Sequence, residues 1–413
     1  MVRLKEVIQI KYISNLNSLI SGSQTSTILN LGNHGFADSF FSEKDKDKAG
    51  ESVPLICQLD KETGLIQLLN LTNPGERYGK VDYSYTSSNS KISREHWEKF
   101  AYYLFAQFSS QNSNVLEIGS NDGFLLEVMQ KHGYKVLGVD ASNSMSNFAK
   151  INGINTLAGV FGESEKLLDE IIEFSNSYKI IIANNVLNHS NDPISFVRSI
   201  KKLLSNDGIF IFEVPYWFQT IKSLHFDQIY HEHVTYFTVK SVRELLKVVG
   251  LEIMNVEIVD YHGGSLRVTA GHQSNYNDNL VESMIEMETK EGLFDVSRYE
   301  KYFIDISDAR NKFMLQVEKT LKLGKTVFGV GAAAKANTLL TFYGLDHTYL
   351  DFILDASKFK QNKITPVTKI PIYGDSHIEK MSNAVGVLLA WNIGREVEKK
   401  LLSINSELEF MSL

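Results

Sequence analysis

Tyr230-His231-Glu232-His233 puts a phenol, two imidazoles and a carboxylate in four consecutive positions. Such groups are expensive to bury and unusual together on a plain surface. Two chemistries fit the pattern. His231 and His233 share one face of a strand and can ligate a metal with a distant third ligand. Alternatively, one histidine is a general base oriented by a neighbouring acid, because imidazole titrates near neutrality. A satisfied polar loop is the plain reading. A further histidine, His189, ends Ala183-Asn184-Asn185-Val186-Leu187-Asn188-His189, just after a strand candidate. The C-terminal ends of strands are where open α/β sheets bind ligands.

A second chemical feature is Val115-Leu116-Glu117-Ile118-Gly119-Ser120-Asn121-Asp122-Gly123. It follows a strand pattern and precedes a helix pattern. Gly119 and Gly123 allow a sharp turn and a close ligand approach. The spacing is G-x-x-x-G, not the G-x-G-x-x-G of a dinucleotide fold. Glu117 and Asp122 would repel a phosphate and suit an ammonium or sulfonium group. Asp140 ends the next strand, 21 residues past Gly119, where a carboxylate meets ribose hydroxyls. The combination resembles the class I methyltransferases that bind S-adenosylmethionine.

These groups need a scaffold. Residues 81–275 alternate strand-like and helix-like patterns, which implies parallel strands with crossover helices. A helix is predicted over residues 93–108, with Ser93 as N-cap and His96 closing a capping box. Two late strands, residues 252–260 and 265–271, suggest an antiparallel pair at the sheet edge. Residues 276–413 begin with a helical bridge and then start a fresh α/β unit. Its turn, Gly331-Ala332-Ala333-Ala334, resembles a dinucleotide loop without the full signature. Residues 1–80 read as a small β-rich module.

Composition narrows the function. The chain has 413 residues, 43% hydrophobic and 22% charged, as in ordinary globular proteins. One cysteine excludes an internal disulfide and a four-thiolate zinc knuckle. The net charge of −7 argues against a nucleic-acid partner. No stretch is apolar enough for a bilayer helix and no signal-peptide core is visible, so cytoplasmic residence is expected.

Residues 117–123, 185–189 and 230–233 with Phe237-Thr238, and the segment His262-Gly263-Gly264-Ser265-Leu266-Arg267, together resemble the nucleotide-sugar C-methyltransferases. So do residues 31–40, residues 329–337 and Trp391-Asn392, so the likeness spans nearly the whole chain in family order. It implies a class I methyltransferase core of Rossmann type, flanked by the N-terminal module and a second Rossmann-like C-terminal domain. It implies S-adenosylmethionine as donor, S-adenosylhomocysteine as product, and a keto-deoxysugar linked to deoxythymidine diphosphate as substrate. His233 would be the base, with Glu232 and Tyr230 shaping the site and His189 stabilising the enolate oxygen. Glu117, Gly119, Ser120, Asn121, Gly123, Asp140 and Asn185 would hold the cofactor. Tyr83 and Tyr85 match a stretch that supplies tyrosines to the sugar pocket. Lys335 and Asn337 would face the nucleotide-sugar, and Arg267 would lie at a sheet edge or near substrate. A monomer or small homo-oligomer is expected, with no membrane partner. A sugar O-methyltransferase and a non-catalytic nucleotide-sugar binder are the alternatives.

The family carries four N-terminal cysteines that bind zinc. Here the second pair falls at about Asp60 and Thr63, and the first among Asn, Ser and Thr. The resemblance therefore predicts a metal-free module, with Cys57 as a small core residue.

Overall fold

The computed structural model describes residues 11–74, 77, 86, 88, 90–108, 112–272 and 278–413. Tyr83 and Tyr85 lie outside the described residues.

The centre is a seven-stranded sheet. Its order is Glu252–Val259, Ser265–Gly271, Leu204–Pro215, Tyr178–Ile182, Asn114–Ile118, Lys135–Asp140, Thr156–Ala158. The five strands of the parallel part run from Thr156–Ala158 to Leu204–Pro215. Ser265–Gly271 is antiparallel to both its neighbours, as the late hairpin predicts. Tyr178–Ile182 shows why this region forms a buried strand. Ile181 packs into one apolar cluster, while Ile180 and Ile182 pack into the cluster on the other face. Helices cover both faces, so the run is apolar throughout rather than alternating.

Several elements differ from the sequence reading. The first central helix spans Lys91–Gln107, and its N-cap is Ser90, whose side chain accepts from the backbone of Ser93. Ser90 is followed by Ser93 three positions on, so the hydroxyl pair replaces the expected Ser93–His96 box. His96 instead points inward to Glu213, at 2.8 Å. The short strand Thr156–Ala158 and the helices Glu165–Phe174 and Val239–Val248 were not expected. The bridge after residue 276 is two helices, Asp278–Lys290 and Val296–Lys322.

The C-terminal sheet is entirely parallel, in the order Ile372–Tyr373, Ile353–Leu354, Thr326–Val330, Ala384–Leu388, Glu409–Met411. The N-terminal module is an antiparallel sheet of Ser26–His34, Val53–Leu59 and Ile66–Leu68, extended by Thr235–Tyr236 from just beyond Tyr230–His233. Cys57 is fully buried on Val53–Leu59, opposite Leu29 and Leu68. Burial pushes its thiol far up, so it stays a neutral apolar residue.

The turn at Asp60 shows how the module is closed. Oδ2 of Asp60 accepts from Thr63 Oγ1 at 2.6 Å and from Ser21 Oγ at 2.8 Å. Its Oδ1 accepts from the backbone N–H of Glu62 at 2.9 Å. The hydroxyl of Ser18 also bonds this carboxylate. Ser18 and Ser21, like Asp60 and Thr63, are three residues apart, so two facing turns are tied by hydroxyl–carboxylate bonds.

Candidate active site

A cavity of about 1050 Å3 opens between the central sheet, the Tyr230–His233 strip and the C-terminal domain. The ends of strands Asn114–Ile118 and Lys135–Asp140 form one end of it. Gly119 has φ +71°, and a Cβ there would come within 2.1 Å of Val186 Cγ2. Only glycine fits both the angle and the space. Gly123, at φ +80°, caps the helix Phe124–Lys131 and turns the chain without lining the cavity.

Glu117, Ser120, Asn121, Asp140 and Asn185 all face the cavity. Asp140 Oδ2 accepts from the N–H of Asn121 at 2.9 Å, and Oδ1 from that of Ser142 at 2.8 Å. Both oxygens keep a lone pair for ligand hydroxyls. Oε2 of Glu117 and Oγ of Ser120 are buried without a protein partner. Burial, then Asp122 and Asp140, raise the Glu117 carboxyl well above its usual range. A cation or a set of hydroxyls at this end relieves all three effects, so the residues fit an adenosyl sulfonium. Asp122 is used differently. Its Oδ2 accepts from the N–H and hydroxyl of Ser88, at 3.0 and 2.6 Å, and its Oδ1 faces the helix start. It shapes the loop.

Tyr230, Glu232, His233 and His189 border the middle of the cavity. Nδ1 of His233 lies 3.0 Å from the carbonyl of Gln228, and so carries the proton. Its Nε2 lies 2.6 Å from the hydroxyl of Tyr230. The rings of His189 and His233 are 4.9 Å apart. Burial pushes His233 down to about 3 and, aided by His233 and Arg77, lowers His189 well below its ordinary value. Both imidazoles are neutral at neutral pH. Glu232 accepts from the N–H of Asp38 at 3.2 Å and is raised by burial to about 7. His231 turns away, packing edge-on against Phe36 with Nε2 3.4 Å from the carbonyl of Pro54. The metal-pair expectation for His231 and His233 therefore fails: the two rings do not converge. Among the described residues no group of three histidine, cysteine or acidic side chains is arranged for a metal.

Lys335 also lines the cavity, 4.1 Å over the ring of Trp391. Burial lowers it to about 8, with Asp227 opposing. Asn337 does not line the cavity; it donates to the carbonyl of Ala37 at 2.5 Å. Arg267 also lies elsewhere. It holds buried Glu213 through Nε and Nη2, at 2.8 and 2.6 Å, because strand pairing sets Arg267 opposite Glu213.

Some residues at the site escaped the sequence reading. His262 borders the cavity with a left-handed φ of +51°, and burial pushes it to about 3. Asp355 was given no role, yet Asp355-Ala356-Ser357 repeats Asp140-Ala141-Ser142. Its carboxylate accepts from Ala332 and Ser357, each at 2.8 Å, just as Asp140 accepts from Asn121 and Ser142. That tripeptide repeat was the available signal.

Residues 91–256 match a family model described as a methyltransferase domain. Residues 260–409 match a second, described as a C-methyltransferase C-terminal domain. Both halves of the chain are thus similar to methyltransferases. C-methyltransferase NovU of Streptomyces niveus is 28% identical over 388 residues, covering 93% of this chain and 90% of NovU. A ubiquinone biosynthesis O-methyltransferase of Xanthomonas oryzae pv. oryzae is 24% identical over 106 residues, 26% of this chain and 44% of that protein. Magnesium protoporphyrin IX methyltransferase from Synechocystis PCC 6803, with bound S-adenosylhomocysteine, aligns over 46% of this chain and 90% of its own, with 13% identity and a TM-score of 0.37. This methyltransferase takes its methyl group from S-adenosylmethionine, and the Gly119 end of the cavity holds the residues that fit it. No helix among the described residues is long and apolar enough to cross a membrane.

Proposed function

We propose that the enzyme methylates the carbon beside the ketone of a keto-deoxysugar linked to deoxythymidine diphosphate. The observation that carries this reading is a single cavity that joins three features: the Gly119 turn, the His189–His233 pair and the Lys335 wall. A nucleotide-sugar is long and bipolar, and needs such a span between its reacting carbon and its charged end. S-adenosylmethionine supplies the electrophilic methyl group and leaves as S-adenosylhomocysteine. Nε2 of neutral His233 takes the proton alpha to the ketone, and the C–H electron pair passes into an enolate. Tyr230 holds that nitrogen until substrate enters. His189, buried and neutral, donates to the enolate oxygen, where negative charge develops. Glu232 meets a sugar hydroxyl or amine. The Lys335 ammonium and the amides of Ala333 and Ala334 face the diphosphate.

The test is mass spectrometry of the purified protein with S-adenosylmethionine and a panel of nucleotide keto-sugars. Gain of one methyl group by a keto-sugar is expected. Gain only by sugars without a ketone would overturn the reading. Without the methyl donor, the sugar carbon should exchange with solvent deuterium. No exchange in an enzyme that turns over counts against the histidine base.

A further inference from the structure

Residues 35–39 of the N-terminal module stand between the Tyr230–His233 strip and the C-terminal domain. On one side the N–H of Asp38 donates to Glu232, and Phe36 meets His231. On the other, Asn337 holds the carbonyl of Ala37, and Nζ of Lys360 lies 3.6 Å from Asp38 Oδ1. The same ammonium donates to the carbonyl of Ala332 at 2.9 Å, inside the C-terminal glycine turn. Lys360 also lies over Phe40, with Nζ 4.9 Å from the ring centre. Pairing of Phe41–Ser42 with Lys363–Ile364 fixes the arm that carries it. Lys360 is 8% exposed, too buried to be a plain surface cation. Asp38, Glu232 and Lys360 all border the cavity.

We propose that Asp38 and Lys360 are positioning residues for Glu232, completing a chain from the Ala332 carbonyl through Lys360 and Asp38 to the Glu232 carboxylate. Through it the C-terminal domain sets the carboxylate that faces the sugar. The inference rests on the reading of Glu232 as part of the sugar-facing wall. The geometry favours it: Oε1 of Glu232 is anchored to Asp38, while the buried Oε2 has no protein partner and is left for a ligand. The charges converge as well. Glu232 faces Asp38 from the N-terminal module and Arg77 from the segment before the central domain. It also faces the Tyr236 phenol from the strand beyond it. Asp38, a like charge, disfavours the ionised form of Glu232, and Arg77 favours it. Lys360 acts through Asp38 by offsetting its charge. A carboxyl that titrates near neutrality responds to small changes in these neighbours.

The test uses the enzyme without sugar, so its outcome is independent of which substrate is methylated. The Glu232 carboxyl band is followed by infrared spectroscopy against pH, assigned as the band lost in Glu232→Gln. Asp38→Asn keeps the backbone donor and removes the charge, so the titration midpoint should move down. Lys360→Gln leaves Asp38 uncompensated, so the midpoint should move up. With a sugar that turns over, kcat in both variants should fall on the order of tenfold, with KM for S-adenosylmethionine unchanged. Midpoints unmoved in both variants overturn the proposal, as does a shift of the same sign in both. Failure to methylate any nucleotide keto-sugar would sink the functional reading and leave the titration result standing.

Discussion

The hydroxyl of Tyr230 meets Nε2 of His233 at 2.6 Å, while Nδ1 of the same ring faces the carbonyl of Gln228 at 3.0 Å. The imidazole is therefore fixed at both ends, with its basic nitrogen on the cavity side. His233→Asn should abolish turnover and leave S-adenosylmethionine binding intact by calorimetry. Tyr230→Phe should lower kcat roughly a hundredfold, within the range of acid–base contributions. Burial holds His233 at about 3, so its base form persists far below the ordinary 6.5. In Glu232→Gln, kcat/KM should stay level as pH falls through 6.5. A decline centred there would show that His233 is solvated.

Gly119 sets the cofactor end. Gly119→Ala combines a left-handed φ of +71° with a Cβ 2.1 Å from Val186 Cγ2. The loop must shift to relieve the clash. Affinity for S-adenosylmethionine should drop at least tenfold while the protein stays folded, and undiminished binding would show that the turn is not part of the cofactor cradle.

That the Gly119 turn, Asp140 and Tyr230–His233 stand out was legible because their chemistry is local, and the structure gathers them, His231 apart, on one cavity. Glycines at 119 and 123, an acid at 140 and three titratable groups in a row carry meaning within a short window. Arg267 and Asn337 were not legible. Arg267 reads equally as a sheet-edge hydrogen-bonding residue and as a cation near substrate until strand pairing sets it beside Glu213, a contact 54 residues away in sequence. Asn337 bonds Ala37 across 300 residues. The fold was legible where strands are continuous apolar runs, as at Tyr178–Ile182. It was not where pairing is brief, as at Thr235–Tyr236, whose two residues join a sheet built mostly from residues 26–68.

The position of Arg267 carries a prediction of its own. Glu213 is fully buried and bonded by Arg267 and His96. Arg267→Ala leaves that carboxylate short of its main counter-charge, and breaking such a pair costs about 3–5 kcal/mol. Chemical denaturation should show this loss. KM for the nucleotide-sugar, measured on the folded fraction, should change little. A large KM change with stability intact would return Arg267 to the substrate site.

At the other end of the chain, Asp60 ties two turns through Ser21, Thr63 and Glu62. Asp60→Ala removes the carboxylate that accepts all three bonds and should cost roughly 1–3 kcal/mol. A chelator should leave the melting temperature of the parent protein where it was. A fall on adding chelator would mean that a metal, and not this hydrogen-bonded knot, closes the module.

Stability should also depend on pH through the buried histidines. Burial pushes His225 and His231 to about 4, and His233 and His262 to about 3. In the unfolded chain each titrates near 6.5. A group whose folded value is depressed contributes stability above its unfolded value and loses it as pH falls toward the folded one. Between pH 6.5 and about 4 the unfolded state takes up protons that these four rings refuse. Glu232 acts in the opposite sense. Its folded value is raised to about 7, so its contribution is full below 4.5 and disappears as pH rises through about 7. Glu117 is raised as well and His189 lowered, so the net slope is the balance of buried carboxyls and buried histidines. As pH falls, each of these histidines lowers the unfolding free energy by about 1.4 kcal/mol per pH unit between about pH 6.5 and 5. His231→Asn removes one of the four titrating rings without touching the cavity wall, and should flatten that dependence. An identical slope in the variant would mean that His231 is hydrated and protonated in the folded protein.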